Sequence, residues 1–484
     1  MNESQEAAVL GLDLGTGGAR VVVVTFAGEK IAGAQVPIEA RAIHRSGETH
    51  EQDAEGWWKA AKEAIREVVA RTPGHTVDAL SVDGTSGSFV GVDESGHATT
   101  QGLMYNDARA AGLAREWSAV EGLPHFQATS PLMRMSWLAQ HASEAHARTR
   151  WFAHQADFIT GRLTGVFGVS DYSNALKSGY DLRAEAWPSW MDRFGALHDK
   201  LPRVVTPGTP LGAVTAAVAR ELGLSADTQV VAGVTDGTAG FLASGARRPG
   251  DDSTTLGTTL VFKRLTNEPI EDPTGSVYCH KLPGGLWIPG AASNTGGEWI
   301  REEFATDDLA SLDQAADALL PSPVIAYPLV VQGERFPFAC NAARGFCEPG
   351  APSKVGRVER FAAMLQGTAL LERLAYDTLD RLTGPTSRDV YVTGGGSKSD
   401  VWCQLRADVT GRTQHRPAHP ESAFGSAILA AAGARGDALG VACERMVRFD
   451  RSFHPDPGRT RAFEPYHARF RGELHRRGYL KDPP

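Results

Sequence analysis

Apolar and polar positions change period several times along the chain, and each change marks an element. Val9, Leu10, Leu12 and Leu14 run into Gly15-Thr16-Gly17-Gly18, and Val21–Val24 follow. This predicts a strand, a tight Gly/Thr turn and a second strand, with Ala27-Gly28-Glu29-Lys30 turning into a third strand from Ile31. From Asp53 the period becomes helical: Trp57, Ala60, Ala61, Ala64, Ile65, Val68 and Val69 share one face, and Asp53 is placed to cap it. Ala79–Val82 reads as a strand ending at Asp83-Gly84-Thr85-Ser86-Gly87, with a further hairpin turning at Asp93-Glu94-Ser95-Gly96. Residues 110–220 read as mixed and mostly helical, broken by prolines at 124, 131, 188, 202, 207 and 210.

The second half repeats the theme. Thr228–Gly233 is a strand running into Val234-Thr235-Asp236-Gly237, where a helix opens. Ser253–Phe262 forms another hairpin around Gly257-Thr258-Thr259. Asp389–Thr393 is a strand ending in Gly394-Gly395-Gly396, a helix spans Trp402 to Thr410, and Ser422-Ala423-Phe424-Gly425 starts another. Alternating strands and helices predict an α/β class. The two Gly/Thr hairpins form a weak internal repeat and predict two similar domains, each offering one hairpin to a shared cleft. The boundary is expected at Gly245–Gly250, giving domains 1–246 and 247–446 and a tail 447–484 that packs back as a helix.

Composition narrows the function classes. At 484 residues the chain has room for about two to four domains. Lys+Arg 49 against Asp+Glu 57 gives −8, a poor generic match for nucleic acid or an anionic membrane. No apolar run approaches the ~18 residues of a membrane span, and Met1–Glu6 lacks the basic and apolar regions of a signal peptide. Five scattered cysteines, Cys279, Cys340, Cys347, Cys403 and Cys443, predict reduced thiols in a cytoplasmic protein. His454, His467 and His475 among scattered arginines predict a solvated helix face.

The candidate chemistry lies in the turns. A Gly/Thr hairpin can aim backbone N–H groups and a hydroxyl at a phosphate, and Asp13 at its entry can hold Mg²⁺ directly or through water. No Gly-Lys-Ser/Thr follows, so this is not a Walker A loop. Asp236 stands at the carboxyl end of a strand, suited either to take a proton from a hydroxyl or only to cap its helix. The blocks 83–87 and Tyr105-Asn106-Asp107-Ala108-Arg109 gather the mixed donors and acceptors that a polyol needs.

Taken in order, these blocks resemble the FGGY family of carbohydrate kinases, and the likeness runs over nearly the whole chain to Phe463-Glu464-Pro465-Tyr466. The resemblance implies two actin-like ATPase (ribonuclease H-like) domains flanking a cleft, with ATP and Mg²⁺ between them and the sugar against the first. It implies Asp236 as catalytic base and Asp13 beside Mg²⁺ and the transferring phosphate. Gly15, Thr16 and Gly17 match the first phosphate hairpin, and Gly257 and Thr258 match the second. Gly394, Gly395, Gly396 and Ser397, followed by Trp402 and Gln404, match the adenosine segment, with Glu421–Gly425 behind it. Thr85, Ser86, Asp107 and Asp236 are the expected sugar contacts.

Within the family, typical xylulokinases carry Met-His-Gly where this chain has Thr85-Ser86-Gly87, and Trp where it has Tyr105. The blocks 83–87, 170–177, 280–282, 290–294 and 333–337 look similar to the xylulokinase-like D-ribulose kinases of cyanobacteria and plants. The expected reaction is therefore ATP-dependent phosphorylation of a ketopentose, D-ribulose first, with D-xylulose or another ketose or polyol as alternatives. A chaperone-like or filament ATPase and a sugar-binding regulator are the readings of another class. The expected partner is a small sugar, with no nucleic acid and no membrane, and a homodimer is left open.

Overall fold

The computed structural model describes residues 6–348, 355–384 and 387–481. Residues 1–5, within the segment read above as lacking a signal peptide, lie outside them. The chain divides into two units, 1–243 with 421–447, and 244–420 with 448–484. The second boundary therefore differs from the simple succession expected at 446: the chain returns to the first unit at Glu421–Val447.

The first unit is built on a six-stranded sheet in the order Pro210–Ala213, Gln229–Thr235, His75–Gly84, Glu6–Gly15, Gly18–Thr25, Lys30–Pro37. The three strands from Gln229, His75 and Glu6 are mutually parallel, and the last three form the expected antiparallel meander. Side chains alternate across the first strand. Leu10, Leu12 and Leu14 join the core of Trp57, Ala61 and Phe158 on helices Ala54–Ala70 and Gln155–Thr164. The other face takes helix Ser422–Arg435. A Cβ on Gly11 would lie 1.8 Å from the Ala423 carbonyl oxygen, and one on Gly425 would lie 1.9 Å from that of Ala239. Only glycine lets these backbones come together. This contact is why the late helix belongs to the first unit. Asp53 caps its helix as expected, accepting from the Glu55 N–H.

Residues 110–220 are mixed and mostly helical, as the proline-broken pattern predicts. Short strands Trp151–His154, Val169–Asp171, Arg203–Val205 and Pro210–Ala213 intervene, and Trp151–His154 pairs with Phe89–Val92. The turn at 93–96 forms where expected, with the Gly96 N–H donating to the Asp93 carbonyl and the Asp93 N–H to the His97 carbonyl, and its return leg makes only a Val92–Ala98 bridge.

The second unit has a seven-stranded sheet in the order Tyr278–Leu282, Leu286–Ser293, Leu260–Arg264, Asp252–Leu256, Asp389–Thr393, Thr413–Pro417, Phe449–Phe453. Helices Arg357–Thr383, Asp400–Thr410 and Pro457–Arg476 supply much of its core. The last of these corrects the histidine reading. Phe463, His467, Phe470 and Leu474 form its buried stripe, so His467 is only 6% exposed while His454 and His475 face solvent. No helix among the described residues is long and apolar enough to cross a membrane.

Candidate functional site

In the first unit the sheet register collects carboxylates. Asp13 lies opposite Asp83 in one parallel pair, and Thr235 lies opposite Gly84 in the next, so Asp236 follows directly at the same end. The carboxyl ends of three adjacent strands therefore carry Asp13, Asp83 and Asp236, at the position where α/β sheets bind ligands. Asp83 is fully buried. Its Oδ2 accepts a 2.6 Å hydrogen bond from Ser426 Oγ, and its Oδ1 has no partner. Burial, then the charge of Asp13 and more weakly that of Asp236, push its pKa well above the usual carboxylate range, against the pull of Ser426.

The turn beside this cluster is braced and open at its tip. Asp13, 3% exposed, accepts a 2.6 Å hydrogen bond from Arg20 Nη1, the residue directly across the hairpin. Both terminal nitrogens of Arg20 lie 3.8 Å from where a Cβ on Gly15 would sit, so a guanidinium covers the turn. Gln52 Nε2 donates to the Thr16 carbonyl at 2.9 Å, and Gln52 Oε1 accepts from Trp57 Nε1 at 2.6 Å. A Cβ on Gly17 would meet nothing within 4 Å, which leaves backbone amides room to meet a phosphate. Asp236 opens helix Asp236–Ser244, is half-buried, and accepts from the Gly237 N–H at 2.7 Å.

The expected sugar contacts divide. Thr85 turns inward: its N–H and hydroxyl both donate to Gln155 Oε1, at 2.9 and 2.7 Å, and its hydroxyl also meets Ser88 Oγ at 2.7 Å. Asp107 is fully buried, and both its oxygens are already engaged. Arg109 Nε and Nη2 grip it at 2.7–3.1 Å, and the His50 N–H donates at 2.7 Å. The structure gives Asp107 the task of fixing Arg109 rather than that of an open acceptor. Ser86 Oγ, in contrast, is buried with no partner, as is Gln155 Nε2.

The sequence reading missed Arg20 and Arg134 as site residues, and took Asp83 only as part of the polar block 83–87. Arg134 is fully buried and pins both polar blocks, donating to the Gly87 and Met104 carbonyls at 2.5 Å each. Burial lowers its pKa to about 10, with the Asp107 charge opposing. The Asp13–Arg20 match across a two-residue turn was a readable signal. Nothing local announces Arg134.

In the second unit the parallel pairing of Asp252–Leu256 with Asp389–Thr393 sets Thr255 opposite Thr393, their hydroxyls 2.8 Å apart. Gly257 and Thr258 thus end one strand beside Gly394, Gly395, Gly396 and Ser397, which end the next. Gly394 needs to be glycine twice over: its φ is +87°, and a Cβ would lie 2.4 Å from the Leu256 carbonyl oxygen. Ser397 is buried and donates to the Gly394 carbonyl at 2.7 Å, so it shapes the turn, while Thr258 and Gly395 are exposed. The Gly257–Thr258 tip is backed by Gly297, whose N–H donates to the Gly257 carbonyl at 2.8 Å.

Comparison with known proteins gives this arrangement a family. The chain is 28% identical over 483 residues to an autoinducer-2 kinase of Salmonella choleraesuis (strain SC-B67), covering 93% of this chain and 90% of that protein. Its fold matches a xyloylose kinase from Brucella ovis with a TM-score of 0.84 at 24% identity, over 97% of this chain and 99% of the other. Plasmodium falciparum glycerol kinase with ADP matches with a TM-score of 0.84 at 15% identity, over 99% of each chain. These likenesses establish the two-domain α/β fold with actin-like ATPase architecture. Residues 8–243 match the N-terminal domain of the FGGY family of carbohydrate kinases, and residues 253–434 match its C-terminal domain. The chain belongs to the FGGY family of carbohydrate kinases and is an ATP-dependent sugar kinase.

Proposed function

We propose that this kinase phosphorylates a ketopentose, D-ribulose first, with Asp236 as general base. The observation that carries the reading is the row of Asp13, Asp83 and Asp236 at the ends of three adjacent parallel strands, beside an open Gly/Thr turn. Asp236 accepts the proton of the attacking hydroxyl while that oxygen bonds to the γ-phosphorus and the bond to the departing ADP breaks. Ser86 Oγ offers an unused donor and acceptor to the sugar. The amides of Gly15–Gly17, with Arg20 above them, face the phosphate charge. Gly257, Thr258 and Gly394–Gly396 offer the second phosphate turn and a flat backbone for the adenosine, with Ser397 holding that turn in shape.

Mg²⁺ fits this donor set. It keeps several waters and takes one or two carboxylates plus phosphates, and Asp13, with the unpartnered Oδ1 of Asp83 beside it, supplies them. When bound, the ion would neutralise phosphate charge. The first unit would then serve the sugar and the second the nucleotide, and the site belongs to a cytoplasmic enzyme of sugar metabolism.

D-Ribulose is favoured over D-xylulose by Thr85-Ser86-Gly87 and Tyr105, which depart from the xylulokinase pattern. A second reading, autoinducer-2 as substrate, is favoured by the 28% identity over most of the chain to the autoinducer-2 kinases. ADP release with Mg²⁺-ATP separates them when measured with D-ribulose, D-xylulose, autoinducer-2, ribitol and glycerol. The proposal expects D-ribulose to give the highest kcat/KM. Preference for autoinducer-2 would replace it with the second reading, and preference for D-xylulose or a polyol would discard both.

A further inference from the structure

The segment Ser170–Lys177 is built with more hydrogen bonds than a surface turn requires. Asp171, fully buried, accepts from the N–H groups of Ser173 and Asn174 at 2.7 and 3.1 Å, and from both their side chains at 2.5 Å. Ser173 Oγ in turn accepts from the Thr235 N–H at 3.0 Å, fastening the segment to the residue before Asp236. The short helix Tyr172–Ala175 and the 3-10 turn Leu176–Ser178 then deliver Lys177, and Gly179, at φ +103°, turns the chain away.

The Lys177 side chain runs along the Ser86–Gly87 backbone. Its Cδ lies 3.2 Å from where a Cβ on Gly87 would sit, so a side chain at 87 would crowd it. Its Nζ donates to the Ser86 carbonyl at 3.2 Å, its only hydrogen-bond partner among the described residues. An ammonium has three donors, so two remain. The residue reaches solvent, yet the protein around the ammonium lowers its pKa; Asp236 acts on it with the opposite sign, and Arg134 lowers it further. Lys177, the unpartnered Ser86 hydroxyl and the candidate base therefore share one neighbourhood in the first unit.

This set is complementary to adjacent oxygens on a carbon chain. Asp236 is acceptor-only and takes the donating hydroxyl, whereas the ammonium is donor-only and needs an oxygen lone pair. We propose that Lys177 is a substrate-binding residue whose ammonium donates to the sugar oxygen next to the reacting hydroxyl, selecting substrates that carry an oxygen there. The inference rests on the reading of Asp236 as base. It adds a residue to the expected sugar contacts Thr85, Ser86, Asp107 and Asp236.

The test is steady-state kinetics of wild type, K177M and K177R with D-ribulose, D-xylulose and autoinducer-2. Losing a charge-assisted hydrogen bond is worth about tenfold to a hundredfold in affinity. K177M is expected to raise the sugar KM by that factor, with kcat and the ATP KM within about threefold and the thermal midpoint unchanged, because the side chain is exposed. K177R is expected to recover part of the loss. A K177M sugar KM within twofold of wild type overturns the inference, as does a fall in kcat at constant KM, which would make the ammonium a partner of Asp236 alone. A wild type stimulated by none of the three substrates overturns the substrate reading and this inference with it. A stimulated wild type with an indifferent K177M overturns this inference only.

Discussion

Ser426 reaches 343 residues back along the chain to donate a 2.6 Å hydrogen bond to Asp83 Oδ2. Both residues are 0% exposed, and Asp83 Oδ1 already lacks a partner. In Ser426→Ala, Oδ2 loses its donor, and neither carboxyl oxygen then has a protein partner. The helix cannot slide in to compensate, because Gly11 meets Ala423 and Gly425 meets Ala239 at backbone contact. An unsatisfied buried group of this kind costs about 1–3 kcal/mol, roughly a five- to 150-fold rise in local opening. Hydrogen exchange read by mass spectrometry on the peptides of 6–15 and 422–435, without nucleotide or metal, reports that local free energy. A double-mutant cycle with Asp83→Ala isolates the bond: Ser426→Ala should cost about 1–3 kcal/mol in wild type and near zero when Asp83 is gone. Equal costs in both backgrounds would refute the reasoning and reduce the contact to incidental packing.

Arg20→Met should raise the ATP KM by about tenfold or more, the worth of a charged hydrogen bond, while leaving the sugar KM within twofold; unchanged nucleotide affinity would remove Arg20 from the phosphate turn. His467 carries an acid sensitivity. Burial first, then the Arg373 and Arg471 charges, lower its pKa from 6.5 to about 3, so the fold favours the neutral ring. That stabilisation is complete above pH 6.5 and is lost as the pH falls towards 3. Between pH 7 and 5 the loss is about 2 kcal/mol, from about 1.5 pH units at 1.36 kcal/mol each. Thermal scans of His467→Leu should show a flatter decline over that interval, and an identical decline would place the acid sensitivity elsewhere.

The parts of the fold legible in the sequence are those fixed by local period and turn chemistry. The meander 6–37 was readable because short apolar runs meet glycines at both turns, and the Asp53 helix because one apolar stripe follows a capping carboxylate. His467 was readable too, as its spacing from Phe463, Phe470 and Leu474 is that of one helix face, but the arginines around it suggested solvent. In residues 110–220 the helical character was readable but the short strands were not, because prolines mark breaks without saying that a strand will pair with Phe89–Val92 far back in the chain.

The site was legible where a motif is a turn and opaque where it is a partnership. Asp13, Asp236 and the glycine turns stand where their local patterns put them. That Asp107 spends both oxygens on Arg109 and His50 depends on how the 105–109 loop folds over residue 50, which no spacing encodes. Arg134 and Ser426 act across 47 and 343 positions, on Gly87 and Asp83 respectively, and each sits in an otherwise unremarkable helix.

The central claim, that Asp236 takes the proton from the sugar, is tested most directly by sugar-stimulated ADP formation in Asp236→Asn alongside equilibrium ATP binding. The substitution keeps the shape and the hydrogen bond to Gly237 but removes the basicity. The account predicts a fall in kcat of about a hundredfold or more, the usual worth of general base catalysis, with ATP affinity within about threefold. Activity within tenfold of wild type would contradict it and move the base to another residue.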